Sequence, residues 1–177
     1  MAHWRILSVV LLSSVMLTTI PPIPVLAADE SADPLEPLAW TVGGRWVADI
    51  KGSDDSPLRV EATFRRSAHK KAITYDVVFK SNNNSVTQYE GMYFWHPGKK
   101  TITLMEVTAA GATTEGALKP EGTMLVQRNL STQADGTTQD QRVELVRKGN
   151  DAFAFEAFLK KDDQWVKAVG FTYNRVR

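Results

Sequence analysis

Residues 38 to 50 read LAWTVGGRWVADI, and this stretch predicts how the rest of the chain folds. Gly43 and Gly44 allow the backbone to bend sharply, and Trp46 then lies near the start of a strand with its side chain turned inward. From Leu58 onward, short runs rich in Val, Ile, Thr, Tyr, Phe and Trp are separated by Gly, Pro, Asn and Asp. Such spacing is typical of consecutive antiparallel strands, and it predicts about ten of them with no long helix.

The alternation of apolar and polar residues is clearest in residues 58–65. Leu58, Val60, Ala62 and Phe64 share one face of this segment, and charged or polar side chains share the other. Many sequential strands with short loops are best accommodated when the sheet curls until its edges meet, because closure removes exposed edges. We therefore predict an all-β fold, a closed up-and-down barrel over residues 38–177, with a short N-terminal turn capping one end.

The N-terminal residues 1–27 have the three parts of a secretory signal peptide. A basic start ends at Arg5, an apolar run covers residues 6–20, and small residues at the exit predict cleavage after Ala27. The run is shorter than the roughly 20 apolar residues that span a bilayer. We expect a periplasmic or secreted protein with a flexible leader over 28–37 and no transmembrane segment in the mature chain. Cleavage after Ala28 and an uncleaved anchor are the alternatives.

Charge and cysteine content exclude several classes of function. The chain has 21 Lys plus Arg and 20 Asp plus Glu, and Arg5 is the only charged residue in the signal segment. This balance gives no electrostatic footprint for nucleic acid. The absence of Cys excludes thiolate catalysis and cysteine-bound metals. His69 and His96 have no metal-binding pattern around them, so the sequence predicts neither a metal nor a cofactor.

The hairpin of residues 88–95 and 101–108 contains the best candidates for a polar site. A three-residue turn between its strands pairs Glu90 with Glu106 and Met92 with Leu104. A two-residue turn pairs Tyr89 with Glu106 instead. Because side chains alternate with period two, a slip of one residue exchanges the faces of every side chain.

In the first register, two carboxylates lie side by side at the edge of an apolar stripe that includes Phe94. Like charges directly opposite each other are unfavourable, so one carboxyl would keep its proton or a cation such as Arg128 would lie between them. The pair could anchor a ligand or act as acid and base, or both groups could point to solvent. Tyr75 and Phe155 could line an apolar pocket or simply fill the core.

The triplet Gly44-Arg45-Trp46 resembles the N-terminal signature of the calycin superfamily, which includes lipocalins, fatty-acid-binding proteins and bacterial lipocalin-like domains. In those families an Arg or Lys late on the last strand packs over the Trp, and Arg175 occupies the matching place. The resemblance implies a ligand-binding barrel. Two features are not carried over. The order Tyr173-Asn174-Arg175 departs from the R-x-Y carboxylate clamp, and no C-terminal His is present to bind haem.

Three hypotheses follow. The first is an exported lipocalin-like barrel that binds a small apolar or amphipathic molecule inside. The second is an enzyme on the same scaffold that acts on a hydrophobic substrate, and the third is a solid-core module that meets a protein partner. An empty interior of several hundred Å³ would favour the first two, and a filled interior the third. The predicted ligand-binding residues are Tyr75, Glu90, Met92, Phe94, Leu104, Glu106, Arg128 and Phe155.

Overall fold

Ten antiparallel strands follow one short helix in the computed structural model, which describes residues 33–52, 54–82 and 84–177. The predicted signal peptide and the first half of the predicted leader, residues 28–32, lie outside these residues. A 3-10 helix covers Glu36–Thr41. The strands are β1 (Arg45–Lys51), β2 (Pro57–Arg66), β3 (Ala72–Ser81), β4 (Asn84–His96), β5 (Thr101–Thr108), β6 (Thr113–Glu121), β7 (Met124–Thr132), β8 (Thr138–Arg147), β9 (Ala152–Lys161) and β10 (Gln164–Val176).

The strands close into a barrel with up-and-down order. Each strand pairs with its neighbours in sequence, and β10 returns to pair with β1, where Trp46 lies opposite Arg175. Among the strands that the structure describes, no sheet edge is left open, which removes the unpaired backbone groups that an edge strand presents. The predicted closed all-β barrel is confirmed. Among the residues that the structure describes, no helix has the length and apolar character needed to cross a bilayer.

Alternating side chains divide the barrel into an inner and an outer face. In β2, Val60, Ala62 and Phe64 are buried on the inner face, while Arg59 and Arg65 are exposed. This period-two burial is what an extended strand produces when one face packs on a core and the other meets water. The clearest sequence pattern therefore predicts the correct inner face for this strand.

The 3-10 helix caps the end of the barrel at which β1 begins and β10 ends. Leu35 and Leu38, just before and within this helix, are fully buried in the core. Trp46 is 0% exposed, and its indole Nε1 donates a hydrogen bond of 2.8 Å to the carbonyl oxygen of Thr41. The ring of Phe153 meets the Trp46 ring edge to face, with 4.9 Å between centroids. This end of the barrel is therefore closed by apolar packing.

Arg175 completes the closed end. Its Cζ lies 4.3 Å from the centroid of the Trp46 ring, and its Nη1 donates a hydrogen bond of 3.0 Å to the carbonyl oxygen of Gly43. Its Nη2 also donates to the carbonyl oxygen of Trp40. Gly44 has a φ of +77°, and a Cβ there would lie 3.1 Å from Arg175 Cγ. The glycine thus allows both the bend and the close approach of the arginine.

The hairpin between β4 and β5 corrects the predicted register. Its turn has four residues, 97–100, and pairs Gly91 with Glu106 and Tyr93 with Leu104. Neither predicted pairing occurs. The two-residue alternative nevertheless assigned the correct faces, because a shift of two residues restores the period-two alternation. Tyr93 and Glu106 therefore face inward, and Glu90 faces outward.

Candidate functional site

The barrel encloses a cavity of about 560 Å³. Its deepest lining residues, such as Phe153 and Leu104, belong to the buried core beside the closed end. At the other end its lining reaches Ala110 and Gln133, which are exposed residues in the loops after β5 and β7. The cavity therefore opens at the end of the barrel opposite Trp46.

One wall of the cavity is apolar. Phe155 on β9 and Phe171 on β10 are direct cross-strand partners, and their rings stack with 5.1 Å between centroids. Both side chains are only partly buried, although they are packed against the core. Further apolar side chains line the cavity on β3, β8 and β9, and these are Val77, Phe79, Val143, Leu145 and Ala157.

The opposite wall carries polar side chains on β4 to β7. Gln127 Nε2 donates a hydrogen bond of 2.7 Å to the hydroxyl oxygen of Tyr93. Asn129 Nδ2 donates to Gln127 Oε1 at 3.3 Å. Asn129 lies opposite Gly116, where a Cβ would come within 2.0 Å of Asn129 Oδ1. Glycine at this position therefore makes room for the amide against the barrel wall.

Glu106 is the charged group of the polar wall. Its Oε2 accepts a hydrogen bond of 2.5 Å from the Tyr75 hydroxyl, and its carboxyl also accepts one from Thr114. Gly91 lies between Tyr75 and Glu106 as the direct partner of both. A Cβ on Gly91 would lie 2.6 Å from the Tyr75 ring, so the missing side chain lets that ring cross β4 to reach the carboxyl.

Burial shifts the pKa values of the titratable groups in this wall. It raises the pKa of Glu106 above its usual range, and the hydrogen bonds from Tyr75 and Thr114 only partly oppose this. Burial also raises the pKa values of Tyr75, Tyr89 and Tyr93, and the negative charge of Glu106 adds to each shift. The three phenols therefore stay protonated, while Glu106 is the group whose charge a ligand can change.

The structure brings together only some of the predicted site residues. Tyr75, Leu104, Glu106 and Phe155 line the cavity. They come from β3, β5 and β9, and their inward direction follows from the observed pairing of the strands. Their role in ligand binding stays a prediction.

The other four predicted residues lie on the outer face, which corrects their placement in the cavity. Glu90 is exposed opposite Val107, and Met92 is exposed opposite Met105. Phe94 has the same outward parity, and its ring stacks beside His96. Arg128 is exposed, with its Nη2 3.2 Å from Glu121 Oε1. The residues of β4 point outward because of the observed register of the hairpin. Arg128 points outward because its neighbours on β7, the polar residues 127 and 129, point inward.

Among the residues that line the polar wall and were not predicted are Tyr89, Thr114, Gln127, Asn129 and Ser131. Three of them alternate along β7, at positions 127, 129 and 131, and continue the inward row that begins at Leu125. The sequence analysis instead placed Arg128 beside the carboxylates, and Arg128 belongs to the opposite row of β7, with Met124 and Val126. The sequence pattern that could have indicated this wall is the row of polar residues at positions 127, 129 and 131, which continues with period two from Leu125.

Within the part of the chain that the structure describes, no three His, Asp, Glu or Cys side chains lie close enough to hold a metal ion. No protein-family model matches the chain, and no curated protein matches it in sequence. The function is therefore argued from the cavity and its two walls.

Proposed function

We propose that this chain is an exported, lipocalin-like barrel that binds a small apolar or amphipathic molecule in its interior. The observation that carries the proposal is the cavity of about 560 Å³ with one apolar and one polar wall. Ligand pockets in proteins typically measure roughly 300 to 1,000 Å³ and combine apolar lining with a few placed polar groups. The apolar wall suits the body of such a ligand, and the polar wall suits its head.

Two further observations support the calycin-like and exported parts of the proposal. The closed ten-strand barrel and the contact between Arg175 and Trp46 are consistent with the resemblance at Gly44-Arg45-Trp46. The sequence of residues 1–27 supports delivery to the periplasm or the exterior.

The alternatives have less support. The predicted acid and base, Glu90 and Glu106, lie on opposite faces of the barrel wall, so they do not form a pair. An enzyme of that design would need a different second group. A solid-core module would need side chains that fill the interior, and the cavity argues against it.

The proposal is tested by titrating the protein with N-phenyl-1-naphthylamine, a neutral fluorophore that brightens in apolar surroundings. We expect saturable binding to the wild-type protein. Ala157→Phe places a ring in the cavity from β9 and should weaken binding strongly. Ala154→Phe makes the same change on the outer face of the same strand and serves as the matched control.

Saturable binding that Ala157→Phe reduces and Ala154→Phe leaves intact would support an interior site. Absence of binding, or equal binding by both variants, would contradict the proposal. Circular dichroism and denaturant melts on each variant exclude loss of the fold as the cause.

A further inference from the structure

We propose that the ligand is an amphiphile with a positively charged ammonium head, and that Tyr75, Tyr89, Tyr93 and Glu106 hold this head. We call these four residues the head site. The inference rests on the proposed function, since it names the ligand class for the same cavity. Four features of the cavity carry it: its charge, the rings beside its carboxyl, the free capacity of that carboxyl and the apolar wall.

The charge of the cavity favours a cation. Among the cavity-lining residues that the structure describes, Glu106 is the only Asp, Glu, Lys, Arg or His. A fatty acid or other anion would bring a second negative group into a partly dehydrated wall without a cation to balance it. Burying an unpaired charge is costly, whereas an ion pair with hydrogen bonds compensates part of that cost.

Aromatic rings surround the carboxyl from two strands. The ring centroids of Tyr75 and Tyr93 are 5.3 Å apart, and Tyr75 donates its hydroxyl hydrogen to Glu106. Tyr89 lines the cavity on the same face of β4 as Tyr93, close enough for the charge of Glu106 to raise its pKa. Ring faces attract ammonium groups, and proteins use clusters of aromatic rings to bind them.

Glu106 keeps hydrogen-bonding capacity for a ligand. It accepts hydrogen bonds from Tyr75 and Thr114, while an ionised carboxylate has about four acceptor sites. An ammonium head donates hydrogen bonds or, if fully alkylated, supplies charge to the rings alone. Because a nearby positive charge favours the ionised carboxylate, it also lowers the pKa that burial has raised.

The apolar wall provides a surface on which the apolar body of the ligand can pack. Phe79, Phe155 and Phe171 line the cavity on strands β3, β9 and β10, and β10 lies across the barrel from β5, the strand that carries Glu106. A ligand with its head at the head site can therefore lay an alkyl or aromatic body against these rings. The cavity of about 560 Å³ has room for one such molecule.

The test compares three ligands that share a dodecyl chain and differ in the head: dodecylamine, dodecanol and dodecanoic acid. Each is used below its micelle threshold at neutral pH to displace N-phenyl-1-naphthylamine from the protein. We expect the amine to bind at least about tenfold more tightly than the alcohol, the gain of one charge-assisted hydrogen bond. The acid should bind no better than the alcohol.

Two variants test whether Glu106 causes the preference for the amine. Glu106→Gln keeps the shape and one acceptor oxygen but removes the charge, so it should abolish the preference for the amine over dodecanol. Glu90→Gln makes the same change on the exposed face of β4 and should retain the preference.

Equal binding of the three ligands, strongest binding of the acid, failure of all three to displace the fluorophore, or a preference that survives Glu106→Gln would overturn the inference. None of these results affects the proposed function, because the neutral fluorophore still reports an interior site. If the fluorophore itself does not bind, both the proposed function and the inference fail.

Discussion

At the scale of single residues, Trp46 is the largest fully buried side chain in the described part of the chain. Its indole is 0% exposed, donates a hydrogen bond to Thr41, meets the ring of Phe153 and lies under the guanidinium of Arg175. These contacts join β1 to the 3-10 helix, to β9 and to β10. The tryptophan therefore ties together the two ends of the described chain.

We predict that Trp46→Ala lowers the free energy of unfolding by about 3 to 5 kcal/mol, the usual cost of truncating a buried Trp. Trp95→Ala is the control. Because Trp95 is 37% exposed, this change should lower the free energy of unfolding by less. Denaturant melts of both variants measure the difference. A loss below about 1 kcal/mol for Trp46→Ala would show that this residue is not a core anchor.

Glu106 gives a second prediction at this scale, in the pH dependence of stability. Its folded-state pKa lies above the unfolded value of about 4.5, so between the two values the folded protein binds more protons than the unfolded chain. Stability from this group is therefore present below the unfolded pKa and is lost as pH rises through the folded pKa. Glu106→Gln should gain stability relative to the wild type over that range.

Urea melts from about pH 4.5 to above neutrality check this expectation. Glu90→Gln, on the outer face of the adjacent strand, should follow the wild-type profile. A constant difference between Glu106→Gln and the wild type across the range would mean that burial does not raise the pKa of Glu106.

At the scale of strands, Gly91 determines how β3, β4 and β5 build the polar wall. A Cβ there would lie 2.6 Å from the Tyr75 ring and 2.8 Å from the carbonyl oxygen of Met105. We predict that Gly91→Ala lowers the free energy of unfolding by about 1 to 3 kcal/mol, the usual range for overpacking. In a Tyr75→Val background the cost should fall, since the ring that crosses Gly91 is gone.

Gly98→Ala in the turn between β4 and β5 is the control for this strand. A Cβ there meets only His96 at 3.4 Å, which is ordinary contact, so its cost should stay within about 0.5 kcal/mol. Equal costs for Gly91→Ala in the two backgrounds would mean that the tyrosine ring does not cause the destabilisation.

The strands also show what the sequence could and could not predict. Alternation in β2 predicts its inner face, because apolar side chains there pack on the core. In β7 the same rule fails, because the inner face carries Gln127, Asn129 and Ser131 on the wall of a cavity. Apolar residues therefore fail to identify the inner face where polar side chains line the cavity.

The predicted register of the hairpin of β4 and β5 was wrong for a different reason. Its register depends on whether the turn after His96 has two, three or four residues, and the sequence of residues 97–100 is compatible with each. The observed turn places Lys100 at a φ of +48°, a conformation that a lysine rarely adopts. Placement of Glu90 and Glu106 therefore required the structure, whereas the existence of both strands did not.

At the scale of the whole molecule, packing is uneven along the barrel axis. The closed end holds the buried core around Trp46, and the other half holds the cavity between partly buried rings such as Phe155 and Phe171. Stability and the proposed ligand binding are thus assigned to opposite halves of one barrel. Variants at the closed end should alter melting more than binding, and variants in the cavity the reverse.

The predicted export also concerns the whole chain. We predict that the mature protein recovered from its own host begins at Ala28, because the small residues before this position match a signal-peptidase site. Intact-mass measurement of the exported protein checks this. A mass that retains residues 1–27 would contradict cleavage and favour an N-terminal anchor.

The central claim is that the barrel is hollow and takes up a small molecule inside. A crystal structure of the protein grown with N-phenyl-1-naphthylamine tests it most directly. The account predicts one fluorophore within the cavity of about 560 Å³, between the Phe155 and Phe171 rings and the wall that carries Glu106. An interior filled by the protein's own side chains, with the fluorophore bound only to the outer face, would contradict it.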